Sequence, residues 1–440
     1  MKRPRHLLFS VALIVALAAF AVGCGGASEP TPSSSPSPGG TVSGSISVMA
    51  VWSGDEQKAF QQVIDGFTAL YPGVTVNYTS AGDQLPTVLS TAVQGGNPPS
   101  VAVLPQPGLM KDFVAKGALM PIDYAMGTIS QNYASSWIDL ATVDGKLYGL
   151  FFKGANKSTV WYNVKAFQDA GVEPPTTWPD LVQAAGTLKQ SGVKAYSIGG
   201  ADGWTLTDLF ENIYLRTAGP DLYDKLTNHE IPWTDPSVAT ALEDMQQILG
   251  DASNIAGGTS GALQTDFPTS VTQVYTTPPK AAMVFEGDFV QGVITTSTDA
   301  LAETGFNQFP FPSIADSPLS VVGGGDMVVT FTDDPATRAF VEYLATPGAA
   351  EIWAKLGGFA SPNNNLDPSV YPDPIARETA SALAEAEVFR FDMSDLTPPA
   401  FGGTVGQGEW KVLQDFLKKP ANIQGTQAAL EKAAANAYGP

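Results

Sequence analysis

Cysteine and histidine are almost missing from this chain of 440 residues, which has one cysteine, Cys24, and two histidines, His6 and His229. A lone cysteine closes no intramolecular disulfide, so the fold rests on packing alone. Zinc sites built on paired Cys or His are excluded. Ser/His/Asp and Cys/His catalysis both need a histidine base oriented by a third group. His6 lies in an N-terminal apolar leader, and His229 lies in the polar stretch TNHEIPW, which reads as a surface loop. Positive charge is scarce as well: 23 Lys and Arg stand against 43 Asp and Glu, a formal net charge of −20. That balance argues against nucleic acid or an anionic lipid surface as ligand, since both require clustered Lys and Arg. After the leader no second long apolar run occurs, so nothing else in the sequence reads as a membrane span.

What is present begins with the leader. Lys2, Arg3 and Arg5 give a positive start, Leu7 to Val22 an apolar stretch, and Ala21, Val22 and Gly23 run into Cys24. This resembles a bacterial lipoprotein signal, with residues 1–23 removed and Cys24 lipidated as the new N-terminus. The apolar stretch is shorter than the ~20 residues a spanning helix needs. Residues 24–45 are rich in Gly, Ser, Pro and Thr and cannot form a core, so they read as a flexible linker to the anchor.

The remaining chain, about 395 residues, is long enough for two or three domains. Its apolar pattern alternates between periods. GSISVMAVW reads as a strand, and GDEQKAFQQVIDGFTALYP as a helix with Phe60, Ile64 and Phe67 on one face. VTVNYT, a helix from Gln84 to Gln94, SVAVLPQ and MKDFVAKGAL continue the alternation, which argues for an α/β fold with helices on both faces of a parallel sheet. From Lys146 a long extended segment, LYGLFFKGANKSTVWYN, changes the register, and helices dominate thereafter.

The segments VWSGDEQKAFQQVIDGFTALYPGV, KGANKSTVWYNVKAF, DGWTLTDLFENIYLR and AAMVFEGDFV, with the late pair VVGGGDMVV and GGFASPNN, resemble in order and spacing the extracellular solute-binding proteins of carbohydrate ABC importers, in the maltose- and α-glucoside-binding group. The resemblance implies a two-lobed periplasmic-binding-protein-like fold of type II, with three hinge crossings near Lys153, Pro310 to Pro312 and Gly357 to Phe359. Lobe 1 is then 45–152 plus 313–357, and lobe 2 is 153–312 plus 358–440.

A pyranose presents apolar C–H faces and a rim of hydroxyls, so its site needs flat aromatic surfaces beside planar polar groups. In open α/β sheets such groups sit at the carboxyl ends of strands. Trp52 ends the first strand, with Ser53 and Glu56 in the next turn; it reads as a cleft residue or a core tryptophan. Gln106 follows the third strand, at a cleft rim or in a solvated turn. Trp204 and Asp208, four apart at a helix start, can face one way and match one sugar ring. Glu286 and Asp288 flank Gly287 after an apolar strand; hydroxyl binding, helix capping by Asp288 and glycosidase-type acid–base chemistry are all open. Lys153, on the expected crossing, either donates to a hydroxyl or pairs with a carboxylate. The resemblance adds Gly324 and Asp326 at the cleft floor and Phe401 as a stacking surface. It also implies the working partners: a small sugar ligand, the transmembrane subunits of a permease, and a membrane reached through the lipid, with the protein itself a monomer outside the cytoplasm. No metal or cofactor is expected, and no bond made or broken. A surface glycoside hydrolase or lyase, and a sensing or adhesive lipoprotein, are the competing classes.

Overall fold

A computed structural model describes residues 42–439. The leader, Cys24 and the linker up to residue 41 lie outside the described residues. The strands of two sheets are β1 (Gly44–Ala50), β2 (Val74–Ser80), β3 (Val101–Leu104), β4 (Gly149–Asn156), β5 (Thr159–Asn163), β6 (Tyr196–Ser197), β7 (Met283–Phe285), β8 (Phe306–Pro310), β9 (Ser320–Thr330) and β10 (Val388–Phe391). One sheet runs β10-β9-β3-β1-β2, with β4 also paired to β9; the other runs β8-β5-β7-β6.

Around β1 the expected alternation is met. Ile46, Val48 and Ala50 are buried on alternate positions, as a strand with one core face requires. Helix α1 (Gly54–Leu70) buries Phe60, Val63, Ile64 and Phe67, the i, i+3, i+4, i+7 stripe of an amphipathic helix. β1 is parallel to both β2 and β3, so their carboxyl ends lie along one sheet edge. Helix α2 (Leu85–Gln94) follows β2 and helix α3 (Pro107–Ala115) follows β3. The turns into α1 and α3 thus bring Trp52 to Glu56 and Gln106 to that edge.

The later helices that shape the site are α4 (Trp204–Ala218), α5 (Pro236–Leu249), α6 (Phe267–Val274), α7 (Val290–Ser297), α8 (Pro347–Ala354), α9 (Met393–Leu396), α10 (Gly408–Lys418) and α11 (Ile423–Tyr438). Strand β9 runs antiparallel to β3 and β4, with a bulge between Asp326 and Met327 in its pairing to β4. A bulge re-aims side chains, and here it falls at Asp326. The ladder also needs glycine: a Cβ on Gly325 would lie 2.8 Å from the Lys153 carbonyl oxygen and 3.0 Å from Phe151 Cδ1.

Two large cores form. Ile46, Phe60, Leu104, Phe152, Phe340 and Trp353 belong to the first. Val160, Phe210, Trp233, Leu242, Met283 and Phe416 belong to the second, where α4, α5, α10 and α11 pack against each other. The chain passes from first core to second between Phe152 and Val160, returns between Val322 and Met327, and leaves again between Phe391 and Met393. Two of the expected boundaries therefore move. Phe311, Ile314 and Val322 still pack in the second core, so the return follows Pro312 by some ten residues. Phe359, Leu366, Tyr371 and Ala376 pack in the first core, and β10 pairs in parallel with β9, which holds residues 358–391 with the first sheet.

Candidate functional site

A cleft of about 760 Å³ opens where the edge of the first sheet meets α4, α6, α7 and α10. Trp52, Ser53, Glu56, Gln106, Lys153, Trp204 and Asp326 all line it, so the structure brings together seven side chains drawn from five separate stretches of sequence.

At its floor sits Lys153, 3% exposed on β4, whose strand is buried along its whole length. Its Nζ lies 2.5 Å from Glu56 Oε1 and 3.9 Å from Asp326 Oδ2, while the Trp52 indole N–H donates to Asp326 Oδ2 at 2.7 Å. Burial alone would lower the Lys153 ammonium, but the Glu56 and Asp326 carboxylates outweigh it and hold it above its ordinary value. Asp326 is itself pushed up by burial, with Lys153 opposing. Lys153 is thus an ion-paired lysine that also lines the cleft, and its Nζ stands 5.4 Å and 5.5 Å from the ring centroids of Phe289 and Trp353. Trp52 joins both of its readings. Its ring is 1% exposed, packed at 4.6 Å on Phe60 and 4.8 Å on Trp353, yet one edge borders the cavity.

Trp204 forms the opposite wall. Gly203, at φ +89°, precedes it; a Cβ there would come 2.9 Å from Trp410 Cβ, so glycine lets α10 close against the start of α4. The Trp204 ring is partly exposed and packs 5.3 Å from Phe267 and 6.0 Å from Phe289. Acidic groups surround it. Burial raises Asp83, against a hydrogen bond from Trp204. Asp202 is pushed up to about 6 by burial, against a hydrogen bond from the Phe267 backbone N–H at 2.6 Å.

The structure does not bring Asp208, Glu286, Asp288, Gly324 and Phe401 to the cavity surface. Asp208, 2% exposed, points behind the wall to Lys157 Nζ at 3.1 Å, because α4 buries every position from Thr205 to Arg216. Glu286 and Asp288 are 2% and 3% exposed, and the Asn156 backbone N–H donates to Asp288 Oδ2 at 3.3 Å. Asp288 does not cap α7, whose N-cap is Phe289. Gly325, not Gly324, faces the cavity; a Cβ on Gly324 would meet Lys157 Cε at 2.8 Å. Phe401 is fully buried against Trp233 at 5.0 Å, a second-core residue and no stacking platform.

Phe289, Trp353, Trp410, Asp83, Asp202 and Lys157 line the cleft without having been singled out. Lys157 carried a signal, standing four residues after Lys153 in the segment KGANKSTVWYN. It pairs with Asp208, with Asp392 and, at 3.7 Å, with Asp395. His229 pairs with Glu431 at 3.2 Å and is not part of the cleft lining. The lysines that line the cleft, Lys58, Lys153 and Lys157, each have a carboxylate within ion-pair distance. Such a cavity offers aromatic faces and carboxylate acceptors but no uncommitted ammonium, which suits a neutral polyhydroxylated guest better than an anion.

Comparison with known proteins places these features. Residues 52–351 match the family described as bacterial extracellular solute-binding protein. The osmoprotective compounds-binding protein GgtB of Synechocystis sp. is 34% identical over 390 residues, covering 87% of this chain and 90% of that protein. The alpha-glucosides-binding periplasmic protein AglE of Rhizobium meliloti is 34% identical over 402 residues, covering 87% and 86%. Among solved structures, the bacterial solute receptor AcbH, described as preferring β-D-galactopyranose, aligns with a TM-score of 0.79 at 22% identity over 90% of this chain and 99% of that one. A match at that identity speaks for the fold, the expected type II α/β architecture.

Proposed function

Since the chain belongs to the family of bacterial extracellular solute-binding proteins, we propose that it captures a neutral oligosaccharide, an α-glucoside, in the cleft and delivers it to the permease of an ABC importer. The observation that carries this is the composition of the cleft: Trp204 and Phe289 beside Glu56 and Asp326, with the lining lysines already paired. Aromatic faces take the C–H surfaces of a sugar ring, and carboxylates accept its hydroxyl protons. Trp52, Ser53, Glu56, Gln106, Lys153, Trp204 and Asp326 are the proposed contact residues, and Phe289, Trp353 and Trp410 join them. The lobes are the bodies around the two cores. Ligand contacts to both favour the closed arrangement, which the permease recognises.

The protein binds without catalysis. A hydrolase reading rests on Glu286 with Asp288 or Asp326; Asp326 lines the cleft, but Glu286 and Asp288 lie outside its lining, which leaves Asp326 without its partner. Incubation with maltose, trehalose and sucrose should raise the melting temperature for at least one of them while every sugar is recovered intact; released glucose would establish an enzyme instead. We also propose a lipid anchor at Cys24 on an extracytoplasmic membrane face, with the protein a monomer. Cys24→Ser should release the protein from the membrane fraction, and unchanged detergent partitioning would overturn that assignment. Among the described residues no helix is long and apolar enough to cross a membrane.

A further inference from the structure

We propose that the carboxyl cluster around Lys157 is a proton-binding site linked to the cleft, gaining a proton when ligand fills the cavity. The link rests on the capture reading above; the site itself does not. Lys157 stands among Asp208 and Glu211 of α4, Glu286 after β7, Asp392 and Asp395 at α9, and Glu409 of α10, all 5% exposed or less. Asp326 on β9 also acts on Asp395, and Tyr223 donates to Glu211 at 2.7 Å. Among the described residues, no other lysine or arginine is within ion-pair distance of these six.

Six buried negative charges cannot be held by one ammonium. Both oxygens of Glu286, both of Glu409 and Oδ2 of Asp208 have no hydrogen-bond partner. A buried carboxylate with no donor is costly, whereas a carboxylic acid brings its own proton to share. The gap among Lys157, Asp208, Asn212 and Glu286 leaves no volume for a water molecule to supply the missing donors, and among the described residues no group of His, Cys, Asp and Glu is arranged to hold a metal ion. Burial lifts Glu211, Glu286, Asp395 and Glu409 well above the carboxylate range, while Asp392, beside Lys157, is held to about 2 against its burial. Asp208, raised by burial to about 7 with Lys157 opposing, is poised between these two groups.

Lys157 and Asp395 belong both to the cluster and to the cleft lining. A guest that displaces water beside them lowers the local dielectric and makes net negative charge there more costly. Proton uptake offsets that cost.

Titration calorimetry of the full-length protein with maltose and trehalose at pH 7, in phosphate and in Tris, should show heats that differ in the sense of proton uptake. Affinity should be about tenfold weaker at pH 8 than at pH 6. Asp208→Asn should abolish the buffer dependence. Infrared spectra of the unliganded protein should show protonated carboxyl absorption at pH 7, reduced in Glu286→Gln. Absence of that band overturns the site whether or not a sugar binds. Binding with equal heats in both buffers overturns the link and leaves the capture reading standing. A band without binding of either sugar keeps the site and removes the link.

Discussion

At the scale of single residues, Trp204 carries the sharpest consequence. Its partly exposed ring stands at the head of a helix buried from Thr205 to Arg216, so it contributes surface to the cleft and little to the core. Stacking on a sugar face buries roughly 100 Å² of apolar area, worth ~2 to 3 kcal/mol at ~25 cal/mol per Å². Trp204→Ala should weaken sugar binding about a hundredfold with the unliganded melting temperature nearly unchanged. Phe401→Ala should do the reverse, costing ~3 to 5 kcal/mol of stability with affinity retained. Calorimetric titration and thermal melts on both variants check the pair, and a large loss of stability in the Trp204 variant would remove it from the site. The place of Trp204 on the cleft wall was legible from the helix start, although Asp208, expected beside it, turns the other way. Phe401 was named through the resemblance alone, and here the short turn Pro399–Gly402 drives its ring onto Trp233. Trp353 and Trp410 stayed hidden for a different reason. On a helix, a tryptophan facing a cleft and one facing a core show the same period.

Among the elements, β9 is the one on which the first sheet depends. It pairs at one end with β10 and at the other with β3, and β4 runs alongside both stretches. Its middle accepts no side chain at Gly325 without pushing on the Lys153 backbone. Gly325→Val should therefore destabilise the protein by a few kcal/mol, about the cost of overpacking, and displace Lys153 from Glu56. Denaturant melts read the first effect and loss of sugar affinity in the folded fraction reads the second; a variant of wild-type stability would show that the strands part more readily than their spacing implies. The alternation of β1, α1, β2 and β3 was plain in the sequence, because β1, α1 and β2 each have one buried face and a clear period and β3 is a short apolar run buried throughout. The later two passages between cores were not. One occurs inside the strand β9, where period-2 patterning is the same on either side of the boundary, and the other at the end of β10, whose long-range pairing with β9 leaves no local mark.

For the whole molecule, the distribution of buried acids sets the response to pH. Asp202, Asp208 and Asp288 are held at about 6, 7 and 7 by burial. A carboxyl whose folded value is raised favours the protonated folded form, so its contribution is present below the unfolded value and is lost as pH rises through 6 to 7. Asp392, depressed to about 2, acts oppositely and is lost only in strong acid. The melting temperature should thus be higher at pH 5 than at pH 8 by several degrees, and 0.5 M salt should not erase the difference, as it would if surface repulsion from the net charge of −20 were the cause. A flat profile between pH 5 and 8 would contradict the raised values. Sugar affinity at fixed pH should barely respond to salt, since a neutral guest has no long-range attraction to screen.

Gly358, at φ +63°, packs so close to Gly292 of α7 that a Cβ on it would lie 2.8 Å from the Gly292 Cα and backbone N, and both glycines line the cleft. Gly358 adjoins Phe359 of the first core, and α7 sends Val290 and Ile294 into a cluster with Trp161 and Phe306 on the second sheet. A methyl group at Gly358 would act as a doorstop, holding the jaws ajar without touching the guest. Every sugar would then lose affinity by one common factor, the reduced fraction of molecules able to shut, while the ranking among sugars stayed as it was. On that outcome strength of capture and choice of cargo would be tuned at different places in this protein, and selection or an engineer designing a sensor could adjust one and leave the other alone.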